Sequence, residues 1–397
     1  NEAAEFVASK FSEYGLNNLG YDNYYQKFNL EYNRIEKCSF SKVEKEDSLK
    51  EYELGEDYIC RGFSGSGDIK APVVFCGYGI SNEITGYNDY ENIDVEGKIV
   101  MQFKADPSWK KNGKNIGYHS LRKKALIAKE NGATAIIFVS RPNQKHPQKP
   151  IGSVMHGEGK QLENFPQVHI DLRTAKDFFS NSSTTLSGLQ KKIDTQKRPH
   201  SMRLNTKANI YVKAKYEPHK TSMNIVGMIP AQEKNADEYI LLGAHLDHVG
   251  GQAGKVYFPG ANDNASGVAS LLEVAEAFSV NKPKKRSIIF VAFTAEESGL
   301  IGSNYFVKNT PVKLDNIHGM INMDCVGHGD SVVVGGGKSA PELYDIVRQK
   351  DSLMQNMMIE RTWHGGGADA TPFFENGVST LYFATKNSYT HLHLLSD

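Results

Sequence analysis

The stretch Gly243-Ala-His-Leu-Asp-His-Val-Gly250 decides how the rest of the chain is read. It places an imidazole, His245, and a carboxylate, Asp247, at the end of an apolar run, Tyr239 to Ala244. Segments downstream repeat the arrangement. Pro259-Gly-Ala-Asn-Asp-Asn-Ala-Ser-Gly267 supplies Asp263 and opens a helical pattern over Ala265 to Phe278, with Val268, Leu271, Leu272, Ala275 and Phe278 on one face. The run Ser287 to Phe293 ends in Thr294-Ala-Glu-Glu-Ser-Gly299, and the run Gly319 to Met323 ends in Asp324. His393 follows a further run at 379–384. Short, almost wholly apolar runs alternating with helices predict an α/β sheet buried on both faces. Ligands of such sheets gather at the carboxyl ends of the strands, where these acids and imidazoles fall.

His245, Asp263, Glu297, Asp324 and His393 offer the nitrogen and oxygen atoms that zinc accepts. About five such groups, one carboxylate bridging, suit a pair of zinc ions sharing a water. Glu296, next to Glu297 at a strand's end, is left to take the proton of that water. Each residue has a plainer role open to it. His245 could be a core histidine, Asp263 a helix cap, Glu296 and Glu297 acids of a helix's first turn, and Asp324 a turn former. His391 and His393 could be solvated, and His391 keeps that reading. Those roles do not explain why every acid or imidazole follows a buried run.

The composition narrows the class. A chain of 397 residues predicts two domains. Its 46 basic and 46 acidic side chains balance, which argues against nucleic acid as a partner. No apolar stretch is long enough for a bilayer. The opening residues read as a helix from Ala3 to Tyr14, with Ala3, Phe6, Val7, Phe11 and Tyr14 on one side and Gly15 as its stop, and not as a signal peptide. Cys38, Cys60, Cys76 and Cys325 lack metal-type spacing; Cys38 and Cys60 could pair, but mostly buried free thiols are expected.

Tyr24 to Tyr32 predicts a strand, and the charged segment Glu44 to Glu56 a loop. From residue 57 come short strands at Ala71–Ile80, Val95–Phe103, Ala133–Val139 and Phe165–Ile170, with a helix at Leu121–Asn131 and a short one from Ala175. That texture predicts a small β-rich domain, bounded by the polar stretch Gln190 to His200. The cluster Gly62-Phe-Ser-Gly-Ser-Gly67 lacks the Lys-Ser/Thr of a phosphate loop and reads as a flexible turn. Two strands, Ala208–Tyr216 and Met223–Ile229, lead back to the opening stretch.

Ala244-His-Leu-Asp-His248, Gly260-Ala-Asn-Asp-Asn-Ala-Ser-Gly267, Phe293-Thr-Ala-Glu-Glu-Ser-Gly299, Ile321-Asn-Met-Asp-Cys-Val-Gly327 and His393-Leu-Leu-Ser-Asp397 resemble, in order and spacing, the motif series of the di-zinc exopeptidases. That family is related to bacterial leucine-type aminopeptidases and to glutamate carboxypeptidase, and the resemblance covers about residues 206–397. Val73–Ile80, Tyr90–Val100 and Gly132–Ile137 resemble a protease-associated domain. The resemblance implies an α/β fold: a mixed, largely parallel sheet flanked by helices (the zinc exopeptidase fold), with an inserted small β-rich protease-associated domain. The peptidase would occupy 1–56 and 201–397, the insertion 57–200.

The resemblance further implies that Asp263 bridges two zinc ions, His245 and Asp324 holding one, Glu297 and His393 the other. Glu296 would be general base to an attacking metal-bridging water and then acid, protonating the leaving amine, and Asp247 would hydrogen-bond the far nitrogen of His245. A cis peptide is implied between Asp263 and Asn264. Two departures stand out. Leu392 occupies a place where the family often has an oxyanion-binding Tyr, so Tyr389 or another group would take that role, or the oxyanion would rely on zinc alone. Ala368–Phe373 lacks the family's usual His after the Asp, and this loop, with Asp369, is expected to line the substrate pocket. The implied function is a zinc aminopeptidase, acting on peptides with a free N-terminus and exported to the periplasm, cell surface or medium. Carboxypeptidases would need an arginine cluster, and Arg361 is the nearest in sequence. Glutaminyl-cyclase-like relatives lack the first His, and non-catalytic relatives lose metal ligands; neither matches His245 and a complete set of five.

Overall fold

The computed structural model describes residues 2–44, 48–117, 120–233 and 237–397. The chain forms two compact units, one of residues 1–31, 218–250 and 258–397, the other of residues 32–217 and 251–257. The transitions at 31/32 and 217/218 lie inside two long strands, Tyr25–Val43 and Met202–Ile229. Composition had placed the boundaries at 56/57 and 200/201, since a continuous strand carries no compositional break at its middle.

The first unit is built on the predicted sheet. Its strand order is Met358–Arg361, Val332–Gly335, Thr380–Thr385, Ile317–Met323, Tyr239–His245, Ser287–Phe293 and the end of Met202–Ile229. The central four, from Thr380–Thr385 to Ser287–Phe293, are mutually parallel. Antiparallel pairing joins Ile225–Ile229 to one side and Val332–Gly335 to the other, so the sheet is mixed but largely parallel. Every residue of Ser287–Phe293 is buried, as expected of a strand covered on both faces. On one face the helix Ser266–Val280 lays Val268, Leu271, Leu272 and Ala275 against Leu242, Ala244, Phe290 and Ala292. On the other, Leu241, Val291, Phe293 and Met320 pack with Phe306 and Phe373, from the helices Ile301–Lys308 and Ala370–Glu375. A Cβ on Gly243 would meet the Phe293 ring at 2.5 Å, so only glycine lets this ring lie across the strand. The opening helix, Glu2–Glu13, buries Ala4, Val7, Ala8 and Phe11, an i, i+3, i+4, i+7 stripe. Phe6, expected on that face, is 55% exposed because it lies off the stripe.

In the second unit Gly67–Phe75, Ile99–Phe103, Ala135–Val139 and Gln167–Ile170 run parallel, with Tyr58–Cys60 antiparallel at one edge and Met202–Val212 at the other. Three sequence expectations change here. The helix Leu186–Gln196 runs into the polar stretch taken as a boundary, burying Leu186, Leu189, Gln190 and Ile193 on one narrow stripe. Within the expected loop Glu44–Glu56, Leu49–Glu51 pairs with Ser41–Val43, a strand too short to show a period; residues 45–47 lie outside those described. The cluster Gly62–Gly67 is packed, not open. A Cβ on Gly62 would meet the Val154 backbone at 2.2 Å, and Asn33 Nδ2 donates to the carbonyls of Gly62 and Ser64 at 2.7 and 2.9 Å. The four cysteines are free and buried.

Candidate metal centre

His245 closes its strand opposite Phe293, after which the neighbouring chain turns out of the sheet and presents Glu296 and Glu297. Asp324 follows Met323 at the end of the strand on the other side. Asp263 comes from the turn before the helix Ser266–Val280, and His393 from the segment after Thr380–Thr385. His245 Nε2 lies 3.1 Å from Asp263 Oδ1 and 3.4 Å from Asp324 Oδ1. His393 Nε2 lies 3.2 Å from the other oxygen, Asp263 Oδ2, and 2.9 Å from Glu297 Oε2. Asp263 thus gives one oxygen to each imidazole.

Three non-glycine residues beside these groups have left-handed backbone, Ala295 (φ 61°), Cys325 (φ 56°) and His393 itself (φ 57°). That conformation is disfavoured for residues with a Cβ and persists where packing and hydrogen bonds over-determine it. Bonds from Asn262-Asp-Asn-Ala-Ser266 hold Cys325 and the segment that carries His393. Asn264 Oδ1 accepts from the N–H of Gly267 (2.9 Å) and Cys325 (3.2 Å), and its Nδ2 donates to Met323 O at 3.0 Å. Asn262 Oδ1 accepts from Gly327 N–H at 2.9 Å, its Nδ2 donates to Ser388 O at 3.0 Å, and its own N–H donates to Asp397 Oδ1 at 3.2 Å. The helix-cap role considered for Asp263 therefore falls to Asn264, leaving Asp263 free to face the imidazoles. The Asp263–Asn264 peptide is cis, as the motif implies.

The cluster suits a cation. His248, Asp263, Glu297 and His393 place ligand atoms within 4.8 Å of one another, and so do His245, Glu296 and Asp324. Buried polar atoms there, Glu297 Oε1, Asp324 Oδ1 and both ring nitrogens of His248, make no hydrogen bond of good geometry among the described residues. Buried carboxylates in contact need compensating positive charge. Imidazole nitrogen with carboxylate oxygen is a donor set for zinc.

Residues 224–397 match Peptidase family M28, and residues 69–178 match the PA domain. The chain carries an M28 peptidase domain and a PA domain. It is 25% identical over 346 residues to Aminopeptidase YwaD of Bacillus subtilis (strain 168), covering 83% of this chain and 62% of that one. It is 27% identical over 393 residues to a glutamate carboxypeptidase 2 homolog of Caenorhabditis briggsae, covering 83% and 50%. The chain thus spans about half to three-fifths of the length of these curated relatives. Among solved structures, an aminopeptidase from Aneurinibacillus sp. strain AM-1 shares the fold, with a TM-score of 0.66 at 20% identity over all of this chain and 82% of that one.

Within the M28 domain the five residues expected to hold metal meet, with Glu296 beside them. Among the protein's own groups, burial pushes the Glu296 carboxyl well up, and Asp369, Asp324 and Glu297 add to this against the pull of His245. Burial would lower the His393 imidazole, but its bonds to Asp263 and Glu297 outweigh that and push it up to about 9. Asp247 is placed differently from expectation. The His245 Nδ1 hydrogen bond goes to the Asp247 main-chain oxygen (2.9 Å), while the carboxylate stands 3.8 Å away. That carboxylate accepts instead from the N–H groups of Glu296 (3.1 Å) and Glu297 (3.3 Å), fixing the turn that presents both glutamates. Asp369, expected to meet substrate, is wholly buried, its charge acts on Glu296, and burial pushes its carboxyl up to about 7.

Tyr389 is 44% exposed, and its hydroxyl sits 2.5 Å from that of Tyr382, which donates to Asp324 Oδ2 at 3.4 Å. Arg361 Nη1 donates to the Tyr389 hydroxyl at 3.3 Å. Tyr382 and His248 were not singled out from the sequence. His248 Nδ1 lies 3.1 Å from Glu297 Oε1 and 3.5 Å from Asp263 Oδ2. Its place three residues past His245 was the available signal.

Proposed function

We propose that this protein is a zinc-dependent aminopeptidase with two ions, removing N-terminal residues from peptides. The observation that carries the reading is Asp263, whose two oxygens face His245 on one side and His393 on the other. His245 and Asp324 would hold one ion, Glu297 and His393 the second, and Asp263 both. When bound, such a pair supplies Lewis-acid polarisation of a carbonyl and lowers the pKa of water. The chain's own groups do the rest. Glu296, within reach of that position and not needed for the ligand set, takes the proton of the attacking water and returns it to the departing amine. Asp247 keeps the glutamate turn from rotating. Tyr389, held between Arg361 and Tyr382, is the donor proposed for the oxyanion where Leu392 offers none, its one hydroxyl proton turning from Tyr382 to the substrate. Asp369, wholly buried, shapes the charge around Glu296 and does not touch substrate.

The family resemblance also supports an exported location; no helix among the described residues is long and apolar enough to cross a membrane. The test of the activity is hydrolysis of aminoacyl-arylamides and dipeptides, each beside its N-acetylated form, with metal content measured on the same sample. Chelator-sensitive release that N-acetylation abolishes, with about two zinc ions per chain, is expected. Release from the C-terminal end of blocked peptides would replace this reading with a carboxypeptidase.

A further inference from the structure

The second unit encloses a cavity of about 600 Å3, the size of a small-molecule site. Its walls include Arg61, Phe63, Lys104, Asp106, Lys124 and Arg141, four basic side chains against one carboxylate. That carboxylate is committed: Asp106 Oδ1 pairs with the fully buried Lys124 Nζ at 2.8 Å. Arg141 Nη1 donates to the main-chain oxygen of Asp106 at 2.9 Å, and Lys104 Nζ donates to the neutral Gln148 side chain. Arg61 is 7% exposed and lies over the Phe63 ring at 5.3 Å, yet its Nε and Nη1 have no hydrogen-bond acceptor among the described residues. Burial pushes the Arg61 guanidinium down to about 10, and burial with the Arg61 charge pushes the Lys104 ammonium down to about 7.

A buried guanidinium without an acceptor is a costly arrangement that proteins ordinarily avoid. A second feature points the same way. The helix Leu121–Glu130 begins at the cavity, where Ser120 and Leu121 form part of its wall. Its first turn carries Arg122, Lys123 and Lys124 and no acid, the reverse of what the positive end of a helix favours. Both features become favourable once an anion enters.

We propose that this cavity binds an oxyanion of the phosphate class, free or as the phosphate group of a small organic ester, with Arg61 and Lys104 as its charge partners. The volume exceeds what a bare phosphate fills, and Phe63 and Leu121 offer an apolar wall for the remainder of an ester.

The test is calorimetric titration and thermal melting of the full chain with inorganic phosphate, sulfate and phenyl phosphate, at ionic strength held constant with sodium chloride. Because a metal centre also attracts phosphate, the series is run on the wild type and on His393→Ala. Saturable binding with a rising Tm, retained in His393→Ala and weakened at least about tenfold in Arg61→Gln and in Lys104→Gln, is expected. Tighter binding of phenyl phosphate than of inorganic phosphate identifies the ester as the better ligand; equal binding identifies the free ion. Arg61→Met should melt higher than the wild type in phosphate-free buffer, which a merely structural arginine would not do. Binding that survives Arg61→Gln, or is lost in His393→Ala, overturns the proposal, as does the absence of saturation. Should Arg61→Gln not fold, wild-type binding by Lys104→Gln has the same force.

Discussion

Glu296 sits among Asp369, Asp324 and Glu297, so its protonation follows the charge held by the neighbouring ligand set. Glu296→Gln keeps the shape and removes the proton acceptor. Turnover is expected to fall about 10²–10⁴-fold with metal content unchanged, checked by kinetics and metal analysis on one preparation; loss of metal would make Glu296 a ligand instead. His248, wedged between Glu297 and Asp263, stands to orient the carboxylates of the His393 side. His248→Ala is expected to weaken zinc affinity there by about 10–100-fold, read by competition with a chromophoric chelator. His245, Glu297 and Asp324 were legible because each follows a buried run, and position along a strand fixes where its last residue emerges; Asp263 and His393, which lie in turns, were legible through the motifs that carry them. His248, Tyr382 and the depth of Asp369 were not legible. Their roles depend on which way a side chain turns after the strand has ended, and no periodicity encodes that.

The strand Tyr239–His245 joins packing to chemistry. A methyl group on Gly243 would press on the Phe293 ring at 2.5 Å and on the Met320 methyl at 3.1 Å, two residues before His245. Gly243→Ala is therefore expected to cost about 1–3 kcal/mol of stability and to lower zinc retention as well, measured by denaturant unfolding and dialysis against chelator. A stability loss with wild-type metal binding would mean that the strand absorbs the strain before its end. The central strands and the helix Ser266–Val280 were readable because runs buried on both faces and a wide helical stripe are strong signals. Leu186–Gln196 was hidden by its charged outer face, and the pairing of Leu49–Glu51 by its length.

Each unit of the molecule has its own core, and conditions should act on the two differently. In the second unit His169 is fully buried, and burial with the nearby Lys104 and Arg61 charges holds its imidazole well below the usual range. An unfolded histidine binds a proton below about pH 6.5 while the folded one does not, so this contribution is complete above that pH and is lost on acidification, by about 1.4 kcal/mol per pH unit. His169→Gln should flatten the stability profile between pH 6.5 and 5.5 in phosphate-free buffer; an unchanged slope would assign the acid sensitivity elsewhere. In the first unit, chelation is expected to speed amide exchange in residues 243–250, 260–267 and 324–327 while leaving Ile99–Phe103 and Ala135–Val139 of the second unit protected, by mass spectrometry. Asn262, Asn264 and Ser266 bind the backbone of the Asp324 and Ser388 segments as well as their own turn, so these pieces of chain loosen together or not at all. This assembly also sets a timetable during synthesis. The donors range from residue 245 to residue 393, and the segment carrying the last is itself sewn to the turn at 262. Until the segment carrying His393 has been made, a growing chain can complete its inner strands but cannot close the His393 side, so the full donor set is assembled only once that segment has emerged.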